Sequence, residues 1–435
     1  MRLIPIILFA VIILLSGLND EIFGVMGFSF YEVVLLILFF FTLAHSIIIK
    51  NDYFFTFNSL DKYFFVFFIS VSIFPLMANV SDFLASSNPD IKEKFYLFRF
   101  YLVYSILTYI FLLQIKKGKV YYYKYIKNIF EYIVIFGLIS GIIGVLRFIP
   151  GNLNTTINLL WPLGKITIFG ERLLSTVGSI NTGGIFFTIM CLICLYLYSL
   201  KKESKYIVLF SFHTLFVLLT GSFSALGTYI ITILFVIKKE KLFSLRTTLV
   251  ACSVTIIIFI FTTKTDFIAQ AYSTMMLGRI EATNLNNSMI PTNVSGRYED
   301  WIKIINRLWI LKPIFGWGFK EGGLGTFAAT DITVQTARIT LSENFYVELL
   351  LYSGLAGLSV YLFMVATLIK QNKKNNPFFH TRLIYYIIIA ILISQFSQLS
   401  TFYSTIMEIV GLLISLVYVS YNMKKFYPGI NIQKY

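Results

Sequence analysis

Apolar runs close to the length of a membrane-spanning helix recur along most of the chain and are separated by shorter polar segments. A helix needs about 20 mostly apolar residues to cross a bilayer. The pattern therefore predicts an all-α polytopic membrane protein with about twelve helices. The predicted helices span residues 3–18, 29–49, 63–80, 96–115, 126–149, 183–200, 206–220, 223–237, 247–263, 344–369, 383–400 and 403–422. No small-residue cleavage site follows the first run, which predicts a retained helix rather than a signal peptide.

The polar segments differ in charge, and this difference predicts the orientation of the helices. Lysine and arginine are enriched in the cytoplasmic loops of membrane proteins. The basic segments fall on one predicted side: Arg2, Lys50, Lys62, 116–127, 201–205, 238–246, 370–382 and 424–434. Both termini are then cytoplasmic, and residues 81–95, 150–182 and 264–343 face outward. The longest outward loop, 264–343, joins helices nine and ten within a single membrane domain, residues 1–435.

The composition supports a membrane protein and argues against binding of nucleic acid or nucleotide. Hydrophobic residues make up 57% of the chain and charged residues 13%, against about 25% charged residues in soluble domains. The net charge of +15 is explained by the basic cytoplasmic loops and their attraction to anionic membrane lipid, so nucleic acid is not predicted as a partner. The glycine-rich segment 316–325 lacks the spacing of a dinucleotide or Walker loop, and no nucleotide site is predicted.

The positions of the cysteines, histidines and glycines indicate helix packing and no metal or redox site. The three cysteines lie in apolar segments and the three histidines are scattered, so neither a metal site nor a redox site is predicted. Small residues allow membrane helices to approach closely. A glycine face on the fifth predicted helix therefore predicts close helix packing; it consists of Gly137, Gly141 and Gly144.

Arginine is concentrated in the predicted outward segments, whereas the cytoplasmic loops carry mainly lysine. Of ten arginines, seven lie outward or in outer halves of helices: Arg99, Arg147, Arg172, Arg279, Arg297, Arg307 and Arg338. The planar guanidinium suits two-pronged binding of phosphate or carboxylate. We therefore predict an anionic ligand at the outer face. The alternative is pairing with lipid headgroups and with acidic residues: Glu281, Glu299, Asp300 and Glu321.

The outward loop contains a segment with helical periodicity. Its apolar stripe consists of Trp301, Ile304, Ile305, Leu308 and Trp309. Ser295 is a suitable N-cap, and Lys312-Pro313 marks the end. This pattern predicts an amphipathic helix at the membrane interface. Arg297 would lie in its first turn, where free backbone N–H groups favour a bound anion.

The outward loop ends at a possible acid–base site. Ser342 is the expected N-cap of the tenth helix, with Glu343 in its first turn and Arg338 five residues upstream. Glu343 is either a general base beside an arginine anion clamp or a carboxylate that complements the helix dipole. Charges deeper in the helices, at Arg99, Glu348 and Glu408, need partners or functions. A buried Arg99–glutamate pair and a direct role for Arg99 both fit.

Three segments carry a family resemblance. Residues 296–319 (GRYEDWIKIINRLWILKPIFGWGF) contain Gly-Arg, a tryptophan four residues later, and then Pro and Gly-x-Gly. Residues 342–357 (SENFYVELLLYSGLAG) re-enter the membrane, and residues 171–184 (ERLLSTVGSINTGG) form a weaker third match. Together with the twelve-helix plan, they resemble the O-antigen polymerase and O-antigen ligase superfamily of bacterial envelope glycosyltransferases.

Two positions depart from that family. Its ligases carry histidine where this chain has Glu343, which favours a polymerase. The family often has Ser-Arg-Gly between helices seven and eight, whereas residues 220–227 read TGSFSALG, with Phe223 in place of the arginine. That phosphate contact is then absent or comes from another residue, such as Arg172 or Arg279.

The resemblance implies a specific reaction. Donor and acceptor are undecaprenyl-pyrophosphate-linked oligosaccharides, and a chain-length regulator protein is a partner. Glu343 would deprotonate the acceptor hydroxyl, and the anomeric configuration would invert. The pyrophosphate would be bound by Arg297 with Arg172, Arg338 or Arg279, and the site supported by Asn344, Arg99 and Tyr346. No metal or nucleotide cofactor is implied. The site would face outward in a bacterial cytoplasmic membrane.

Two alternatives remain open at the level of sequence. The first is a ligase of the same fold that transfers finished glycan to another acceptor. The second is a flippase for lipid-linked oligosaccharide, since twelve helices also suit a transporter. Transporters are commonly built from two related halves. The chain has no evident internal repeat and one long outer loop, which favours the transferase.

Overall fold

A computed structural model gives the fold of the protein. It describes residues 3–15, 30–48, 91–147, 152–161, 173, 175–177, 180–240, 301–302, 305–306, 313–316, 344–374, 381–396 and 405–426. For some helical residues, Arg99 among them, it describes the backbone alone. These residues are mostly helical, and no strand occurs among them.

In the part of the chain that the structure describes, eleven α-helices have assigned bounds. They are α1 (Ile4–Ala10, continued by a π-helical turn, Val11–Leu15), α2 (Phe30–Ile48), α3 (Ile91–Lys116), α4 (Lys119–Leu146), α5 (Asn152–Leu160), α6 (Ile180–Lys201), α7 (Ser204–Leu219), α8 (Phe223–Glu240), α9 (Phe345–Lys374), α10 (Thr381–Gln395) and α11 (Thr405–Phe426). Most of them were predicted from the apolar runs in their sequences.

Four of the described helices have the length and composition of membrane-spanning segments. Within the described residues, four helices are long and apolar enough to cross a bilayer: Phe30–Ile48, Tyr121–Leu146, Thr182–Lys201 and Ser353–Lys373. Shorter apolar helices accompany them. The prediction of a helical protein with membrane-spanning character is confirmed at this level. The count of twelve and the outward loop 264–343 stay predictions, because residues 49–90, 241–300 and 317–343 lie outside the described part.

The short turns between helices and the contacts of α8, α9 and α10 define two chemically different ends of the bundle. The turns 116–119 and 201–204, the end of α9 and the start of α10 share one end, which we call the lysine-rich end. The α7–α8 turn, the start of α9 and the end of α10 share the other, the lysine-poor end. A ring contact supports this arrangement: Phe235, late in α8, lies 6.0 Å from Tyr386, early in α10.

Glycines on α4 form the predicted packing face. A Cβ atom at Gly137 would approach Met190 of α6 and His213 of α7, and one at Gly141 would collide with the ring of Phe216. The prediction of a close-packing glycine face is therefore confirmed for Gly137 and Gly141. The same region buries Cys191, whose sulfur lies 3.7 Å from Thr214 Oγ1, in agreement with its predicted packing environment.

Gly141→Ala should lower the free energy of unfolding by about 1–3 kcal/mol, because the added methyl overpacks the contact with Phe216. Thermal unfolding of the detergent-solubilised protein measures the effect. In a Phe216→Ala background the same substitution should cost much less, since the ring that it meets is gone. Equal costs in the two backgrounds would show that this contact does not limit the packing of α4.

Candidate functional site

The central feature of the lysine-poor end is a break near the start of α9. Gly354 has φ 63° and ψ −163° inside an otherwise helical segment. This backbone conformation is accessible essentially only to glycine. The break separates residues 345–353 from residues 355–374, and the apolar segment Ser353–Lys373 begins beside it. It leaves the next backbone N–H groups available for partners outside α9.

A turn from the predicted outer loop supplies these partners. The Leu355 N–H donates to the Pro313 carbonyl at 2.8 Å, and the Ala356 N–H donates to the Ile314 carbonyl at 3.0 Å. A Cβ at Gly354 would collide with the Ile314 carbonyl, so only glycine permits this approach. Two segments that resemble the glycosyltransferase family, residues 296–319 and 342–357, are therefore in direct backbone contact.

Asn344 fixes the start of α9. Its Oδ1 accepts the Tyr346 N–H at 2.9 Å and the Val347 N–H at 3.2 Å, which makes it the N-cap. Its Nδ2 donates to the Phe396 carbonyl at 3.1 Å and so ties α9 to the end of α10. The prediction of Ser342 as the cap was wrong: the helix begins at Phe345 and the Asn344 amide caps it, so Glu343 precedes the helix instead of lying in its first turn.

Aromatic residues hold the same two helix ends together. The Tyr346 hydroxyl donates to the Leu392 carbonyl at 3.2 Å, and the Tyr361 hydroxyl donates to Gln395 Oε1 at 2.7 Å. The Tyr346 ring lies 4.8 Å from the ring of Phe396. These contacts give α9 a fixed starting point directly after Glu343. Asn344 and Tyr346 are thus positioned as supporting residues, while their roles in a reaction stay predictions.

Replacing Asn344 by alanine should destabilise the protein by about 1–2 kcal/mol, the usual cost of losing a helix N-cap. Asn344→Asp keeps the accepting oxygen but loses the donor to the Phe396 carbonyl, so its cost should be smaller. Thermal unfolding of both variants in the same detergent separates the two contributions. Equal stability of Asn344→Ala and wild type would contradict the capping role.

A second group of contacts brings the remaining matched segments together. The Leu173 N–H donates to the Leu219 carbonyl at 3.0 Å. A Cβ at Gly184 would collide with Ala225, so α6 and α8 approach closely near their N-termini. Ser222 Oγ accepts the Ala225 N–H at 3.3 Å in the first turn of α8. Leu173 and Gly184, from the third matched segment, therefore both lie against the α7–α8 turn, where Phe223 stands at the position of the family's arginine.

Arg147 has structural contacts. It follows the last residue of α4, and its Nη2 donates to the Trp161 carbonyl at 2.9 Å. The Trp161 indole N–H donates to the Leu14 carbonyl at 2.8 Å, and Thr176 Oγ1 donates to the Ile13 carbonyl at 2.6 Å. Both carbonyls belong to the π-helical turn after α1, a geometry that frees acceptors for side chains. Arg147 thus has a structural partner through Nη2, while an anion-binding role for it stays a prediction.

The other charged site residues are located less completely. Glu343 directly precedes Asn344 in the chain, but the described residues do not include it. The same holds for the predicted pyrophosphate ligands, Arg172, Arg279, Arg297 and Arg338. Arg99 lies on α3, where its backbone alone is described. The catalytic and pyrophosphate-binding roles therefore stay predictions from the sequence.

Sequence reasoning missed the contact at Gly354. The apolar pattern predicted one helix over residues 344–369, with no break inside it. The signals that point to the contact are Pro313 and Gly316 in the loop. Gly316 ends the docked turn with φ 69°. Neither residue indicates by itself which helix the turn meets.

Comparison with known proteins adds no family. No family model matches the chain. No curated protein matches it either. The family resemblance therefore rests on the three matched segments, and the structure contributes the contacts between them.

Proposed function

We propose that this protein is a membrane glycosyltransferase that polymerises undecaprenyl-pyrophosphate-linked oligosaccharide units into a surface polysaccharide such as O-antigen. The observation that carries the proposal is the contact at Gly354. It joins the Gly-Arg…Pro-Gly-x-Gly segment to the Ser-Glu-Asn segment. An arginine-bearing loop and the residue after the proposed base thus belong to one local framework. A packing role alone does not require these two segments to meet.

The proposed chemistry assigns a role to each part of this framework. Glu343 takes the proton from the acceptor hydroxyl as its oxygen attacks the donor's anomeric carbon. The bond from that carbon to the pyrophosphate oxygen breaks, and undecaprenyl pyrophosphate leaves with inversion. Arg297, together with Arg172, Arg279 or Arg338, binds the departing anion. No metal or nucleotide takes part in this scheme, since the lipid pyrophosphate is itself the activated group.

The lysine-poor end offers a favourable electrostatic setting for this anion. The helices α6, α8 and α9 all begin there. The N-terminus of a helix carries partial positive charge and free N–H groups. Phe223 occupies the position of the family's arginine, so one positive charge toward the pyrophosphate is lost there. The helix N-termini provide part of the positive potential that replaces it. In our proposal this end faces outward, both termini are cytoplasmic and a chain-length regulator binds the protein.

The purified protein in lipid nanodiscs, supplied only with undecaprenyl-pyrophosphate-linked repeat units, provides the test. A polymerase yields a ladder of longer lipid-linked glycans and free undecaprenyl pyrophosphate. A ligase leaves the units unchanged until a separate acceptor is added. A flippase yields no new glycosidic bond with either substrate. Absence of a ladder with correctly folded protein and the native repeat unit would overturn the polymerase proposal.

A further inference from the structure

One aromatic residue at the lysine-poor end stays exposed although its backbone is held on both sides. Phe396 directly follows the last residue of α10 and is 62% exposed. Its N–H donates to the Ile393 carbonyl at 3.3 Å, and its carbonyl accepts the Asn344 side-chain amide at 3.1 Å. A rigid aromatic side chain on a fixed backbone loses little conformational entropy when it binds a ligand. Phe396 is therefore suited to a contact outside the protein.

The position of Phe396 differs from that of the exposed rings in the apolar spans. Phe40 and Phe363 are 60% and 64% exposed, and both lie inside helices that are apolar enough to cross a bilayer, where acyl chains would cover them. Phe396 lies beyond the end of its helix, one hydrogen bond from Asn344. Asn344 directly follows Glu343, the proposed base. The exposed ring therefore borders the site of the proposed reaction.

The ring is the outer member of a row of aromatic side chains. Its centre lies 4.8 Å from that of Tyr346, and the Tyr346 ring lies 6.5 Å from the ring of Tyr361. Tyr361 is buried, Tyr346 is half-buried and Phe396 is exposed, so the row runs from the interior to the surface. The faces of aromatic rings are electron-rich and attract the weakly positive hydrogens of C–H groups. The exposed ring can therefore pack against a ligand surface made of C–H groups.

A hydrogen-bond donor accompanies the ring. Gln395, the preceding residue, is buried, and its Oε1 accepts the Tyr361 hydroxyl at 2.7 Å. This bond orients the side-chain amide. In the described part of the chain, the Gln395 Nε2 donates to no acceptor, and it is not among the enclosed polar atoms. The donor therefore reaches the surface and is open to an oxygen atom of a ligand.

We propose that the Phe396 ring and the Gln395 amide nitrogen bind one sugar ring of the glycan substrate at the lysine-poor end. A pyranose presents C–H groups on its faces and hydroxyl oxygens at its edge, so it matches an aromatic ring accompanied by a donor. An isoprenoid chain also has C–H groups, but it offers no acceptor to the amide. The inference rests on the proposed function for the identity of the ligand, and it adds the residues that recognise the sugar.

The test measures the affinity of the full-length protein in lipid nanodiscs for two probes. The first is the repeat-unit oligosaccharide of the parent organism, released from its carrier by mild acid so that it has neither lipid nor phosphate. The second is undecaprenyl phosphate, which has the isoprenoid chain and no sugar. Phe396→Leu removes the aromatic face, and Phe396→Trp keeps one. Phe363→Leu is the matched control, because it changes a similarly exposed phenylalanine inside an apolar span.

We expect Phe396→Leu to weaken binding of the free oligosaccharide about five-fold, the factor that matches about 1 kcal/mol for one aromatic contact. Phe396→Trp should bind at least as tightly as wild type, and Phe363→Leu should bind like wild type. In a Tyr361→Phe background, which removes the hydroxyl that Gln395 accepts, Gln395→Leu should also weaken binding. Affinity for undecaprenyl phosphate should not change. The unfolding midpoint of Phe396→Leu should stay close to that of wild type, since most of the residue is exposed.

Three outcomes would overturn the sugar-binding role. The first is equal affinity of wild type and Phe396→Leu for the oligosaccharide, and the second is no binding of it by the wild type. The third is weaker binding of undecaprenyl phosphate by Phe396→Leu, which would assign the ring to the isoprenoid chain. Failure of the proposed function gives a different result. Oligosaccharide binding that depends on Phe396 without ladder formation by the wild type would retain the sugar site and exclude the polymerase.

Discussion

Replacing Glu343 by glutamine is expected to slow polymerisation by about 10²–10⁴-fold, the usual contribution of a positioned general base. Glutamine keeps the size of the side chain and can still accept hydrogen bonds, but it cannot take a proton from the acceptor hydroxyl. The cap of α9 is supplied by Asn344, so the substitution leaves the start of that helix intact. The rate of ladder formation by the purified protein measures the effect.

A matched carboxylate in the same loop provides the control for Glu343. Glu321→Gln removes the same charge from residues 264–343 and should leave the rate close to that of wild type. Unfolding midpoints of both variants should match the wild type, which separates lost chemistry from lost structure. If Glu343→Gln polymerises at the rate of Glu321→Gln, Glu343 is not the base.

Gly354→Ala should have the largest effect on the structure. The added Cβ would collide with the Ile314 carbonyl and would force a non-glycine residue into positive φ. We expect the free energy of unfolding to fall by about 2–5 kcal/mol, from backbone strain and from the loss of the Leu355 and Ala356 hydrogen bonds. If the proposed site is correct, polymerisation should fall with it, because the docked turn belongs to the segment that bears Arg297.

Gly227 of α8 is the natural control for this substitution. A Cβ there would meet nothing within 4 Å. Because alanine favours helix over glycine by up to about 1 kcal/mol, Gly227→Ala should leave the protein unchanged or slightly stabilised. The two glycine substitutions are therefore expected to differ in sign. Thermal unfolding that is the same for Gly354→Ala and Gly227→Ala would contradict the account of the α9 break.

Hydrophobic periodicity predicted the helices well where one apolar pattern determines the structure. The predicted helix 183–200 corresponds to Ile180–Lys201, and 223–237 corresponds to Phe223–Glu240. In both helices, apolar residues fill the whole length between two polar turns. The apolar pattern alone is therefore sufficient to predict where the helix begins and ends. Helix α5, Asn152–Leu160, was not predicted, because its nine residues are too few and too polar for a membrane span, although Leu153, Ile157 and Leu160 form an apolar stripe.

Features that depend on contacts between distant segments could not be predicted. The π-helical turn Val11–Leu15 has carbonyl groups bound by Thr176 and Trp161, each more than 140 residues away. The break at Gly354 likewise depends on the turn at Pro313. Local sequence contains the glycines that permit such geometry. It does not contain the partner that makes the geometry stable.

The candidate site, too, could be predicted from the sequence only in part. The family resemblance pointed to the two segments that the structure joins, but their point of contact and the Asn344 cap were found only in three dimensions. Ser342 and Asn344 are both good capping residues, and the choice between them depends on the Phe396 carbonyl at the end of α10. The sequence thus identified the segments, and tertiary contacts determined their arrangement.

The most direct test of the central claim is glycan length in the parent organism after deletion of this gene. The deletion is complemented at matched expression by wild type, Glu343→Gln or Arg297→Ala. We predict that single repeat units replace long chains and that only the wild type restores the chains. Full-length polymer that accumulates on its lipid carrier in the deletion strain would contradict a polymerase and support a ligase. Repeat units trapped on the cytoplasmic leaflet would contradict it in favour of a flippase.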